Sequence, residues 1–135
     1  MQQGDALPTV EKLVLQTQIE KYASASGDFN PLHVDHKFAA TSQFGGTIAH
    51  GMLIAASISE MMTTAFGEEW LRGGRMKIRF RAPVYPGETI TAFGQIKDMT
   101  ERNGIMQVTC SVGVKKQNED VAINGDAALD IKNLH

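Results

Sequence analysis

The sequence predicts an α+β fold in which a curved antiparallel sheet is wrapped around one long helix. Two patterns indicate this fold. Residues 49–66 carry apolar side chains around most of a helical circumference, which is typical of a helix enclosed by other structure. The second half of the chain alternates apolar and polar residues in segments separated by turn signals, which is typical of antiparallel strands. With 135 residues the chain is long enough for one domain with its own core, which we place at 1–135.

The second half is predicted to form four strands, at residues 75–81, 89–99, 105–116 and 121–131. In the first of them, Met76, Ile78 and Phe80 alternate with basic residues, as in a half-buried strand. The dipeptide Asn103-Gly104 is a hairpin signal between the second and third strands.

The first half is predicted to begin with a short strand at 12–15 and a helix from residue 18, with Thr17 as its N-cap. Gly27 favours the end of that helix, and residues 35–41 favour one or two further helical turns. The long helix is expected to end at Gly67.

Composition narrows the class of protein. Hydrophobic residues make up 42% of the chain and charged residues 21%, as in ordinary globular domains. The formal net charge of −2 gives no reason to expect a nucleic-acid partner. One cysteine excludes an intrachain disulfide, and neither a leader pattern nor a bilayer-spanning segment is evident, so we expect a cytoplasmic protein with no membrane partner.

The segment Gly27-Asp28-Phe29-Asn30-Pro31-Leu32-His33 places a carboxylate and an imidazole five positions apart in a turn-rich loop. Such a pair can orient a water molecule and accept its proton, and Asn30 can support the loop or the water. The alternative is that Asp28 and Asn30 only bond their own backbone and that His33 is a surface residue. The spacing alone leaves both interpretations open.

A glycine-rich segment leads into the long helix at His50-Gly51-Met52. The first N–H groups of a helix lack intrahelical acceptors and attract negative charge, so the Gly51 N–H is a candidate oxyanion donor. The glycines of this segment are also explained by tight turns alone. His50 either caps the helix or lines a pocket.

Other candidate residues carry weaker signals. Asp28, His33 and His36 form an acceptable ligand set but lack a recognised metal spacing, so we expect no metal. The basic row that includes Arg79 and Arg81 either is a solvated face or contacts a nucleotide-bearing substrate. Cys110 is in phase with three valines, which predicts a buried side chain rather than a nucleophile.

Read together, these segments resemble the signature of the MaoC-like, (R)-specific enoyl-CoA hydratases. The resemblance rests on Tyr22, the run from Ser26 to His33, Ala39, the His50-Gly51-Met52 segment and the segment from Arg81 to Glu88, and it covers nearly the whole chain. It implies a hot-dog fold, in which an antiparallel sheet wraps around a central helix. It also implies a homodimer or higher homo-oligomer with each active site near the interface.

The resemblance further implies reversible hydration of a trans-2-enoyl-CoA to the (R)-3-hydroxyacyl-CoA. Asp28 and His33 would be the catalytic pair, with Asp28 moving the proton and His33 orienting the water. The Gly51 N–H would bind the thioester oxygen, and no metal or redox cofactor would be needed. Short to medium acyl chains are expected, with Ser59, Met62 and the small residues around Ala55-Ala56 as candidates for the wall of the acyl pocket.

Two alternatives remain open. A hot-dog acyl-CoA thioesterase would direct the activated water at the thioester carbonyl instead of C3. A non-catalytic acyl-CoA-binding module would use the same pocket without a catalytic role for Asp28 or His33.

Overall fold

The computed structural model describes residues 1–132. Its sheet has five antiparallel strands in the order β1-β3-β4-β5-β2. The strands are β1 (Val10–Leu13), β2 (Arg75–Phe80), β3 (Thr89–Arg102), β4 (Ile105–Lys116) and β5 (Val121–Ile131). The predicted sheet is confirmed, and the predicted bounds of β4 and β5 agree with the structure. β3 continues past the expected end at residue 99, because its pairing with β4 extends to Arg102.

The connections of the sheet follow from its turns and pairings. Asn103 (φ 53°) and Gly104 (φ 78°) form the tight turn that joins β3 to β4, as the sequence predicts. β3 follows β2 in sequence, but β2 pairs with β5 and not with β3. Residues 81–88 therefore carry the chain from the edge strand β2 across the sheet to β3, which lies beside the other edge strand, β1. β1 and β2 are the two edge strands.

The long helix is α4 (Gly51–Phe66), and it lies against the sheet. It begins two residues later than predicted, because His50 has an extended backbone (φ −61°, ψ 136°) and acts as the N-cap residue. It ends at Gly67, as expected. Its buried side chains are Ile54, Ala55, Ser57, Ile58, Met61 and Met62. Met52 is 56% exposed, so the N-terminal turn of α4 is only partly enclosed.

The N-terminal elements differ from prediction in their bounds. β1 lies two residues earlier than expected, because its position is set by pairing with β3. Helix α1 (Gln16–Ser26) begins after Leu15 and not after Thr17, since the Gln18 side chain accepts a hydrogen bond from the Leu15 N–H at 3.2 Å.

The remaining helices are short. α2 (Pro31–Val34) lies within the segment that the sequence presents as a loop, and α3 (His36–Ala40) confirms the helical turns expected at 35–41. Helix α5 (Glu68–Gly73) is not predicted by the sequence analysis, and its Trp70 is buried. None of the helices within residues 1–132 combines the length and apolar character required to cross a bilayer.

The core lies between α4 and one face of the sheet. Val108, Cys110, Val112 and Val114 project into it from β4 and are at most 4% exposed. Burial raises the pKa of the Cys110 thiol to about 11. The thiol is therefore a neutral core group, in agreement with the prediction that Cys110 is buried.

Candidate active site

The loop after α1 is built by local hydrogen bonds. α1 ends where Gly27 adopts a left-handed conformation (φ 80°), which L side chains rarely adopt. Asp28 Oδ1 then accepts the Asn30 N–H at 3.2 Å, and Asn30 Oδ1 accepts the Leu32 N–H at 3.0 Å. Asn30 is thus the N-cap of α2, and His33 lies on that short helix. The structure therefore gives Asn30 a role in shaping the loop.

The His33 ring is oriented by a backbone carbonyl. Its Nδ1 lies 2.7 Å from the Ile48 oxygen, and a carbonyl only accepts, so Nδ1 carries the hydrogen. In the neutral imidazole, Nε2 is then left with its lone pair available. Gln16 supports the same helix, because its side-chain amide donates to the His33 carbonyl at 2.9 Å. His33 is therefore held as a hydrogen-bond acceptor through Nε2.

His50 connects this loop to the start of α4. It is 2% exposed, and its Nε2 donates to the Asp28 carbonyl at 2.9 Å. Its ring stacks on His33 with centroids 3.9 Å apart, and the Tyr22 ring meets it edge-on at 4.7 Å. Its Nδ1 is buried and has no partner among the atoms of residues 1–132. His50 thus contacts both Asp28 and His33, which local sequence reasoning does not predict.

The start of α4 lies beside these groups. The first N–H groups of a helix have no intrahelical acceptor, and the helix dipole makes this end positive. A Cβ atom on Gly51 would lie 2.7 Å from Cε1 of Phe80, so the Phe80 ring rests directly on the Gly51 backbone. Because glycine has no Cβ, the Phe80 ring can lie close to the helix terminus at this position.

These groups line one cavity of about 600 Å³, which we call the site cavity. Asp28, His33 and His50 provide its polar wall, and Gly51 and Met52 contribute the helix terminus. Its apolar wall includes Phe44, Ile54, Phe80, Val84, Ala122 and Ile123. A mostly apolar cavity with a few converging polar groups is the usual form of a small-molecule site.

Three of the residues expected at the site lie elsewhere. Ser59 Oγ accepts the indole N–H of Trp70 at 3.1 Å, and Met62 is fully buried in the core. Arg79 pairs with Asn124 on β5 and does not line the site cavity; it lines a different cavity, which Arg81 also lines. We therefore leave these three residues out of the proposed site. Arg81 does line the site cavity.

The structure also adds residues that sequence reasoning did not assign to the site. Phe80 and Ile123 reach the cavity because β2 and β5 pair directly, with Phe80 opposite Ile123. Tyr22 appears in the family signature, but only the fold places its ring against His50. The alternation of apolar and basic residues in β2 indicates that Phe80 lies on the same face as Met76 and Ile78. This pattern is the feature of the sequence from which the position of Phe80 could have been predicted.

The segment 81–88, of which residues 81–84 line the site cavity, is anchored by an ion pair. Glu88 Oε1 lies 3.1 Å from Lys116 Nζ and accepts the Tyr85 N–H at 2.8 Å. Burial alone would raise the pKa of the Glu88 carboxyl, but the Tyr85 hydrogen bond and the contact with Lys116 outweigh it and lower that pKa. The Tyr85 hydroxyl also donates to the Phe44 carbonyl at 2.8 Å. The segment is thus tied to β4 and to Phe44, which also lines the cavity.

Asp28, His33 and His50 also form a set of possible metal ligands, since one ligand atom from each lies within 4.8 Å of the others. The lone pair of an imidazole nitrogen lies in the plane of its ring. The two rings are stacked with an interplanar angle of 26°, so their lone pairs do not converge on one point. The arrangement favours hydrogen bonding to a small polar group over metal coordination. His36, considered as a ligand from the sequence, is exposed at the start of α3 and is not part of this set.

An antiparallel sheet wrapped around a long helix, with a polar cluster at the helix N-terminus, defines a hot-dog enzyme domain. The family model of the MaoC like domain matches residues 2–118. The chain belongs to the MaoC-like family.

Relatives and solved structures agree with this assignment. The chain is 31% identical over 115 residues to the (R)-specific enoyl-CoA hydratase of Aeromonas caviae, covering 84% of each protein. It is also 31% identical over 133 residues to the mitochondrial 3-hydroxyacyl-[acyl-carrier-protein] dehydratase of Arabidopsis thaliana, covering 97% of this chain and 78% of that protein. The solved structure of the A. caviae (R)-hydratase involved in PHA biosynthesis matches with a TM-score of 0.81 and 28% identity over 98% of both chains. The chain is a hydro-lyase of the hydratase and dehydratase class.

Proposed function

We propose that this protein is an (R)-specific enoyl-CoA hydratase that adds water reversibly to short- to medium-chain trans-2-enoyl-CoA. The proposal includes one catalytic domain over residues 1–135, acting in the cytoplasm without a metal or redox cofactor. The observation that carries it is the placement of the Asp28 carboxylate and the His33 ring beside the N-terminus of α4, inside one largely apolar cavity. This arrangement can hold a water and a thioester oxygen at the same time.

In the proposed reaction, the thioester oxygen accepts a hydrogen bond from the Gly51 N–H. That bond strengthens as negative charge develops on the oxygen, and the positive end of α4 supports it. The carbonyl is thereby polarised, and C3 of the conjugated enoyl group becomes electrophilic.

The water is held by the Asp28 carboxylate and by His33 Nε2, which the Ile48 carbonyl leaves free to accept. Its oxygen forms a bond to C3 while Asp28 accepts one of its protons. The C2 carbon then takes a proton from Asp28 on the same face, which restores the carboxylate and completes the (R)-3-hydroxyacyl thioester. A positioned acid or base of this kind contributes about 10²–10⁴ in rate.

His50 has a positioning role in this scheme. Through Nε2 it holds the Asp28 main chain, and through its ring it supports His33. Because Nε2 carries the hydrogen that binds the Asp28 carbonyl, the buried Nδ1 of the neutral ring is left as an acceptor, and it has no partner among the atoms of residues 1–132. His50 thus contributes to the geometry on which Asp28 and His33 depend.

Arg81 is the proposed contact for the charged part of the CoA moiety. It is exposed, and it lines the site cavity beside Phe80 at the end of β2. A guanidinium at this position can pair with a phosphate while the acyl group extends into the apolar part of the cavity. Arg79 does not line the site cavity and is left out of this contact.

A homodimer or higher homo-oligomer is also part of the proposal. Phe29, Met52 and Phe80 are apolar and more than half exposed, and Met52 and Phe80 line the site cavity. A second copy covering these side chains would bury apolar surface and complete the wall of the cavity. Sedimentation of the purified protein should show a dimer or a larger assembly, and a monomer at micromolar concentration would contradict this part of the proposal.

The function is tested by incubating the purified protein with crotonyl-CoA. We expect the enoyl absorbance to fall, no thiol to be released, and chiral analysis to show the (R)-3-hydroxy product. Release of free CoA without loss of enoyl absorbance would instead indicate a thioesterase. Tight binding without turnover, preserved in Asp28→Asn and His33→Ala, would indicate a binding module. A parallel series with the acyl-carrier-protein thioester determines which carrier is preferred, a comparison motivated by the Arabidopsis relative.

A further inference from the structure

Ile54 separates two cavities. The site cavity, with a volume of about 600 Å³, lies on one side of it. A second cavity of about 270 Å³, which we call the flanking cavity, lies between α4, β1 and the start of β3. Within residues 1–132, Ile54 is the one residue that lines both cavities. Its side chain is 3% exposed, so it forms a wall between them.

The flanking cavity has the character of an alkyl-binding space. Val14 and Ile90, which are 3% and 2% exposed, form its interior together with Leu53. Its rim carries the Lys12–Glu60 ion pair, with 3.1 Å between Nζ and Oε1 and with both side chains about half exposed. Exposed ion pairs of this kind contribute little to stability, so this rim is readily rearranged. Gln18 and Ser57 also line this cavity, and the Ser57 hydroxyl is already bonded to the Ile54 carbonyl at 2.6 Å. An apolar chain that reached this space would therefore meet mainly apolar side chains, with the ion pair at its rim.

The position of Ile54 relative to Gly51 directs an acyl chain toward this wall. Residues three apart on a helix lie on the same side, and three residues advance about 4.5 Å along the axis. A thioester oxygen bound at the Gly51 N–H therefore places the acyl carbons beyond C3 within about one helical turn of Ile54. Short chains end before this side chain, whereas longer chains meet it.

We propose that Ile54 sets the upper limit of acyl-chain length, and that the flanking cavity is a latent extension of the acyl site that opens when residue 54 is shortened. This inference rests on the proposed hydratase function and names the residue that determines its substrate range. It differs from the expectation drawn from the sequence, in which Ser59, Met62 and the small residues around Ala55-Ala56 form the wall. None of these residues lines the site cavity, and Ala56 lines the flanking cavity.

The test compares kcat/KM for trans-2-enoyl-CoA substrates of four, six, eight and ten carbons in the wild type, Ile54→Val and Ile54→Ala. One methylene in an apolar pocket changes discrimination by about 10–200-fold. We therefore expect Ile54→Ala to raise the eight-carbon to four-carbon ratio of kcat/KM by at least about tenfold. Ile54→Val should raise this ratio less. The valine variant also allows the test to be made if the alanine variant does not fold.

Ile58→Ala is the matched control. Ile58 is fully buried on the same helix and lines neither cavity, so its truncation also lowers the melting temperature but should leave the chain-length ratio unchanged. A third variant adds Ala56→Leu to Ile54→Ala. Ala56 is exposed and lines the flanking cavity, so a larger side chain there should remove the gain.

The possible results separate the inference from the function on which it rests. An unchanged ratio in folded Ile54 variants that still hydrate the four-carbon substrate would overturn the inference alone. An equal increase in Ile58→Ala would overturn it as well, because the effect would then come from general loosening of the core. A folded wild-type protein that hydrates none of the four substrates would overturn the proposed function itself.

Discussion

Asp28→Asn removes the basicity of the proposed proton carrier and retains most of its contacts. Asn30 donates its N–H to Asp28 Oδ1, and an asparagine carbonyl oxygen accepts the same bond. The main-chain carbonyl at residue 28, which accepts the His50 hydrogen bond, is also unaffected. The substitution therefore changes the chemistry of the site with little change in its shape.

The expected loss can be stated in energy. A positioned acid or base contributes about 10²–10⁴ in rate, and each factor of ten corresponds to about 1.36 kcal/mol. Asp28→Asn should therefore raise the barrier for crotonyl-CoA hydration by about 2.7–5.4 kcal/mol. The side chain is exposed, so the free energy of unfolding should change by no more than about 0.5 kcal/mol.

The assay is the initial rate of loss of enoyl absorbance, with urea unfolding of the same preparations. Asp35→Asn is the matched control. Asp35 also accepts a backbone N–H, from Phe38 at 3.1 Å, and it is exposed, but it does not line the site cavity. Asp35→Asn should keep the wild-type rate. A turnover of Asp28→Asn within about threefold of wild type would refute the mechanism, because the loss would fall far below the range for a catalytic base.

Three further predictions concern the surroundings of the site. Gly51→Ala should lower kcat for crotonyl-CoA by about 10²-fold. The Cβ of an alanine at this position would lie 2.7 Å from Cε1 of Phe80, so it displaces the Phe80 ring, and it also crowds the thioester oxygen. If the double variant with Phe80→Ala recovers only part of the rate, crowding at the oxygen accounts for the remaining loss. Glu88→Gln should lower the free energy of unfolding at pH 7 by about 1.5–3 kcal/mol, measured by urea denaturation. Because folding lowers the pKa of the Glu88 carboxyl from its ordinary value of 4.5, this stabilisation is present above that value and is lost as the pH falls through the folded pKa, so a difference that persists unchanged at pH 3 would contradict the assignment. Cys110 should react with a thiol reagent only after unfolding, since its thiol is buried with a pKa of about 11, and rapid labelling of the native protein would contradict this.

The elements with strong local signals were predicted well. β4 and β5 show apolar alternation, and Asn103 and Gly104 favour the tight turn that precedes β4. The position of β1 was less predictable, because pairing with β3 determines it and Leu13 at its end is 51% exposed. The bounds of this strand therefore depend on a partner about 80 residues away in sequence, which no local pattern contains.

The start of α1 and the presence of α5 show the same limit at short range. Thr17 is a reasonable N-cap by residue type, but the Gln18 side chain binds the Leu15 N–H and the helix begins earlier. α5 has only six residues, too few for a clear apolar period, and its Trp70 is buried by tertiary packing. Both cases were decided by contacts and not by propensity.

For the function, the sequence alone determined the chemical groups and their local order. Asp28 and His33 belong to one short segment, and the turn chemistry of Asn30 and Pro31 that sets their spacing is local. The spacing alone left the turn interpretation open, and the resemblance to the family signature, which includes this segment, indicated the chemistry of the site.

Only the tertiary structure decided which groups meet and how large the space between them is. The stacking of His50 on His33, the contact of Phe80 with Gly51 and the wall formed by Ile54 each join segments or cavities that are separate in the sequence. In the structure, Ser59, Met62 and Arg79 do not line the site cavity. The physical reason is that a side chain's residue type is local, whereas its direction and its neighbours are set by the packing of α4 against the sheet and by the pairing of β2 with β5.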